Sequence, residues 1–182
     1  MNDEAKIVGD VISAFDPNGA GPRPNVPKAS VLEWMQHPSL EVRGATYTMV
    51  SDETIAPQIT PHLTFDDYYQ FVTQYLCDCI QADPKGEWAD SRYLAAHQLV
   101  GWIVHFWNDN TVPRQKIGEI KDRLAELYVQ GDTRVRNAIV NGVLEHLFEH
   151  KPISKFFGNW QADSRLADAY KIALQWEEKK LM

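Results

Sequence analysis

The stretch His146-Leu147-Phe148-Glu149-His150 carries the spacing most suggestive of chemistry in this sequence. On a helix, histidines four residues apart lie on one face and can share a zinc ion, with the carboxylate beside them as a base. Two features oppose that reading. Lys151-Pro152 is expected to end the helix at the second histidine, and a third ligand would have to be Glu177 or Glu178, close to a fraying end. His146, Glu149 and His150 are therefore expected to be helix-end side chains, the histidines favoured there by the helix dipole, and no metal or other cofactor is expected.

A second constellation is Asp90, His97, Gly101 and His105, one stripe of an otherwise apolar helix expected from about Ala89 to Trp107. His97 and His105 are two turns apart, about 12 Å, so they cannot hold one metal between them. They read either as hydrogen-bonded core histidines or, with Asp90, as the wall of a polar pocket. Cys77-Asp78-Cys79 is not a C-x-x-C motif. Its thiols point about 200° apart on a helix, Cys79 into the core and Cys77 toward a partly exposed side. Ser91, Ser154 and Ser164 lack the strained elbow of a serine nucleophile. No catalytic residue is assigned, and an enzyme is not expected.

The elements that must position these residues read as helices throughout. No segment sustains alternation at a period of two, so the expected fold is all-α: one domain over residues 1–182, a bundle of about seven to nine helices. The central helix is expected to follow Gly131, with Asp132 as its N-cap. Val135, Ala138, Ile139, Val140, Val143, Leu144, Leu147 and Phe148 spread over a wide arc, leaving a narrow polar edge of Arg134, Asn141, Glu145 and Glu149. Arg136 projects into the apolar arc and is expected to pair with a carboxylate, or else to clamp a phosphate or substrate.

Upstream, residues 3–15 form an amphipathic helix and residues 16–27 a Pro/Gly loop. Ser30, Ser39 and Thr64 are expected to cap further helices, the last over 65–81 with Phe65, Tyr68, Tyr69, Phe71, Val72, Tyr75, Leu76, Cys79 and Ile80 on one face. Asp83-Pro84-Lys85-Gly86 is a turn, and Thr111 and Pro113 start the helix that carries Ile117, Ile120, Leu124 and Leu127 inward. Leu40-Glu41-Val42-Arg43-Gly44-Ala45 parallels Thr133-Arg134-Val135-Arg136-Asn137-Ala138, and each opens a helix. A V-R-x-A helix start of this kind resembles HEAT-type repeats, so stacked HEAT-like helix pairs are an alternative to an irregular bundle.

A net charge of -7 disfavours generic binding to nucleic acid or to an anionic membrane and suits a basic partner. No apolar run is long enough to span a bilayer, and the charged start M-N-D-E-A-K lacks the pattern of a signal peptide. With only two cysteines there is no disulfide framework, and the expected location is the cytoplasm.

Gly131-Asp132 with Val135, Asn137 and Ile139, then Val143-Leu144-Glu145-His146-Leu147, Trp160, and Tyr170 to Trp176 carry a family likeness over about Val112 to Trp176. In them the chain resembles small acidic all-helical proteins found among bacterial immunity proteins, which neutralise the toxins of competition systems. The resemblance implies a binding protein that occludes a cognate, basic protein toxin. No binding residue carries over from the resemblance; the candidate surface is the polar edge Asn141, Glu145 and Glu149 with Asp122 and Glu126 of the preceding helix, each otherwise a plain solvated side chain or part of an intramolecular salt bridge. Trp88 and Trp160, beside turns, are candidate anchors. A HEAT-like scaffold or adaptor, and a hydrolase using His146, Glu149 and His150, are the alternatives.

Overall fold

A computed structural model describes residues 3–15 and 24–180, with side chains to residue 176. Residues 16–23 of the predicted Pro/Gly loop, and the side chains of Glu177 and Glu178, lie outside it. The fold is all-α, as the periodicity predicts. Two compact units are distinguished, one of residues 1–79 and 84–90, the other of residues 80–83 and 91–182.

The first unit holds α1 (Asp3–Phe15), α2 (Lys28–Met35), α3 (Leu40–Val50) and most of α4 (Phe65–Ala82). Val8, Val11 and Phe15 of α1 are buried, and α1 and α2 both pack on α3. Ser39 caps α3, its hydroxyl accepting from the Glu41 and Val42 N–H groups at 3.1 and 3.4 Å. Thr64 and Asp67 cap α4 reciprocally: the Thr64 hydroxyl accepts from Asp67 N–H at 3.1 Å, and the Asp67 carboxylate from Thr64 N–H at 2.9 Å. Lys28, 2.6 Å away, with Thr64 holds the Asp67 carboxyl down at about 2. Ser30 caps nothing, because α2 begins earlier and Pro27 occupies its N-cap position. Two-residue strands β1 (Val26–Pro27) and β2 (Ile59–Thr60) pair in parallel, too short to show alternation.

Burial on α4 is wider than its apolar stripe predicts. Cys77 is 1% exposed and Cys79 fully buried, which corrects the partly exposed Cys77. Arg43 reaches Asp78 at 2.7 Å and the Tyr47 ring lies 5.1 Å from Tyr75, so α3 covers a second side of the helix. Residues 84–90 are then fixed on α3. The Glu41 carboxylate accepts from the N–H groups of Glu87, Trp88 and Ala89 at 3.0, 3.0 and 2.9 Å. One turn on, Gly44 lies directly against the Trp88 backbone. The turn is as predicted, with Asp83 in the left-handed region at φ 51.

The second unit holds α5 (Arg92–Asn108), α6 (Arg114–Gln130), α7 (Thr133–Asn137), a π-helical run Ala138–Leu144, α8 (Glu145–Phe148), α9 (Lys151–Phe156) and α10 (Ala167–Lys180). The run from α7 to α8 is continuous and buried as predicted, with α5 and α10 packed on it. Asp132 caps it, accepting from Val135 N–H at 2.9 Å. Gly142 lets α5 approach closely: a Cβ there would sit 2.8 Å from Ala96 Cβ. Phe148, Phe157, Trp160 and Tyr170 form an aromatic cluster beneath it.

Among the described residues, Arg136 pairs with no carboxylate. Its guanidinium donates to the Tyr128 and Val129 carbonyls at 3.0 and 3.1 Å, closing the C-terminus of α6. The same device recurs along the unit. Arg92 donates to Ile80 and Gln81 at the end of α4, and Arg114 to Trp107 at the end of α5. The orphan carbonyls of a helix end and its negative dipole both attract a cation, and Arg114 and Arg136 also lie over the rings of Trp107 and Tyr128.

Candidate functional site

The outward face of α5 is the surface that best fits binding. Between Arg92 and Asp109 the helix has no charged residue, and Arg92 is buried. Leu99, Ile103, Phe106, Ala95 and Ala96 face the core. The opposite side presents Tyr93 at 48% exposure, Leu94 at 50%, then His97, Gly101 and His105, with Trp102 half-buried. The apolar run predicts a helix buried all round, and in the structure it is buried on one side. A surface helix of an acidic protein ordinarily turns charges to solvent, and this exposed face carries none. Gly101 fits the same reading. A Cβ on it would meet nothing within 4 Å, so no internal packing requires glycine there, although glycine costs about 1 kcal/mol against alanine inside a helix.

At the edge of this face the structure joins two motifs that are separate in sequence. The ring of His97 on α5 lies 4.8 Å from the ring of His146 on α8, and Glu149 Oε1 is 3.8 Å from His146 Nδ1. His150 is not on that helical face. α8 ends at Phe148, and His150 is extended (φ -97, ψ 93) ahead of α9, so the one-face geometry of the H-x-x-E-H spacing is not formed. Among the described residues, no three His, Cys, Asp or Glu side chains converge on a position a metal could occupy.

The other sequence candidates scatter. Asp90 precedes α5 and so is not on the stripe of His97 and His105, both of which are exposed. Its N–H donates to the Tyr75 hydroxyl at 2.9 Å in the first unit. Burial raises the Asp90 carboxyl against the opposing Tyr75 hydroxyl, so the folded chain keeps that proton to higher pH than the unfolded one. The contribution of this group to stability is therefore lost as pH rises through its raised value.

Trp160 is 1% exposed, packed on Phe157, and so belongs to the core and not to a partner surface. Trp88 is half-buried on the loop that α3 holds. Asp122 and Glu126 are exposed on α6, Glu126 3.6 Å from Arg123. Asn141 and Glu149 are exposed and Glu145 half-buried, as the polar edge predicts.

The cysteines offer no reactive site. Burial pushes the Cys79 thiol up to about 12, and the thiolate is the nucleophile. A disulfide-exchange reagent at neutral pH is expected to modify neither Cys77 nor Cys79 in the folded chain and both in denaturant; rapid modification of one thiol in the native protein would contradict the burial.

A family profile matches residues 52–160, from before α4 to the end of the Trp160 turn. The chain belongs to the family described as Domain of unknown function (DUF7674). The matched segment contains all of α5 and both His97 and His146, and it excludes α1 to α3 and α10. It begins well before Val112 and ends before Tyr170, so it overlaps only part of the stretch that resembles immunity proteins, and the family description carries no tie to them. No curated protein and no solved structure matches the chain.

Proposed function

We propose that this protein works by binding a basic protein partner on the outer face of α5, in the manner of an immunity protein that occludes a cognate toxin. The observation that carries the reading is the exposed, charge-free row Tyr93, Leu94, His97, Gly101 and His105 on a chain of net charge -7. An apolar centre supplies the anchoring contact, and acidic surroundings draw in a positively charged partner and speed its capture. Glu149, 3.8 Å from His146, whose ring meets His97, is an acidic rim residue in this reading. Asn141 and Glu145 extend that rim in this reading, and Asp122 and Glu126 contribute to the long-range field.

The test uses the full chain, its Leu94→Asp variant, and an Asp168→Asn control on α10. Purified wild type is expected to capture one basic protein in stoichiometric amount from the source cell. Leu94→Asp, which places a charge on the most exposed apolar side chain of the row without disturbing the core, is expected to weaken that binding at least tenfold, and the control to leave it unchanged. Co-expression of the captured protein is expected to arrest growth with Leu94→Asp and to be tolerated with wild type. Equal binding by Leu94→Asp would remove α5 from the interface, and several weak partners would favour a scaffold.

A further inference from the structure

We infer that His97 and His146 form a two-imidazole site for a divalent late transition-metal ion such as Zn²⁺, with solvent filling the remaining coordination positions. The site belongs to the free chain, in which His97 of the α5 row is uncovered. Sequence spacing does not offer this pair, because His97 and His146 lie on different helices.

The distance between the rings suits a shared ion. Zinc sits about 2.0–2.1 Å from an imidazole nitrogen, and the nitrogen about 1.1 Å from the ring centre, so two imidazoles on one tetrahedral or octahedral ion place their centres about 4.5–5.2 Å apart. The observed separation is 4.8 Å, with the rings tilted by 55°. His97 is exposed and His146 half-buried, so water can reach the ion and each ring can turn about its broad terminal torsion to aim a nitrogen.

The two rings stand on helices in close contact. His97 follows buried Ala96, and His146 lies one turn after Gly142, the residue against which Ala96 packs. Buried Leu99, Leu147 and Val143 complete the packing on either side. The glycine contact therefore sets the gap between the two imidazoles. Glu149 Oε1 lies 3.8 Å from His146 Nδ1, beyond hydrogen-bond reach, and adds negative charge beside the two rings. The site differs from the H-x-x-E-H arrangement: Glu149 contributes only charge beside His146, and His150 takes no part.

The test is a Zn²⁺ titration of the metal-free full chain at neutral pH, followed through the ring C–H signals of the histidines by NMR. The His97 and His146 signals are expected to shift together and saturate at one ion per chain. His97→Ala and His146→Ala are each expected to weaken binding at least tenfold, and both replace surface side chains, so the fold is retained. His105→Ala and His150→Ala are expected to bind as wild type does. Lowering the pH is expected to release the ion, because protons compete for the same nitrogens. The inference is overturned if neither signal responds to the ion, if His97→Ala binds it as tightly as wild type does, or if His150→Ala abolishes binding.

Discussion

Gly44→Ala is expected to melt well below the wild-type chain. A methyl on Gly44 would land on the Trp88 carbonyl and the Ala89 Cα, both backbone. A flexible side-chain tip could move aside, but this loop cannot, because its N–H groups are held on Glu41. The substitution gains about 1 kcal/mol of helix propensity and forces α3 and the loop apart, for a net loss of about 3 kcal/mol or more. For a chain of this size that corresponds to a fall in Tm of about 6–12 °C, read by thermal circular dichroism. An unchanged Tm would mean that the loop does not rest on α3.

Glu41→Ala should come next in size. One carboxylate satisfies three consecutive amides, and those of Trp88 and Ala89 are partly buried. Removing it leaves these donors without an acceptor, and charge-assisted bonds of this kind contribute about 1.5–3 kcal/mol each before water re-enters. We expect a loss of about 2–4 kcal/mol, with Glu41→Gln recovering less than half, because the new amide turns a donor toward donors. Gly86→Ala gives an independent check. Its methyl would occupy the place of the Glu41 carboxylate, so it should mimic Glu41→Ala, and the double variant should be little worse than either single one. Additive losses would show that the two residues act separately.

The parts of the fold legible in the sequence are those set within a few residues of chain. The caps at Ser39, Thr64 and Asp132 were readable because a short polar side chain before an apolar period has a local job. The buried run from Val135 to Phe148 was readable from its wide apolar arc. What failed depended on partners distant in sequence. Cys77 is buried because α3 covers a second side of α4, which the amphipathic pattern of α4 cannot reveal. Arg136 turned to carbonyls because the end of α6 lies eight residues back, and a carbonyl bears no mark in the sequence. Trp160 is buried because the Phe157 turn folds it inward, although turns usually lie outside.

The candidate face had the opposite difficulty. Its apolar letters made α5 look like a core helix, and only the positions of its neighbours reveal that Leu94, His97 and His105 meet solvent. One signal was available beforehand: histidines and a glycine at regular spacing in a helix without charges suit a surface reserved for a partner better than a packed interior.

The clasp that α3 places on residues 84–90 bears on how this protein can be cut. Glu41 and Gly44 precede residue 52, where the family match begins, and the loop they hold lies inside that match. A fragment excised at the family boundaries would carry the loop but lose its clasp. Trp88 and Ala89 would then meet water, so a fragment that begins at residue 52 is expected to be less stable than one that begins no later than Ser39.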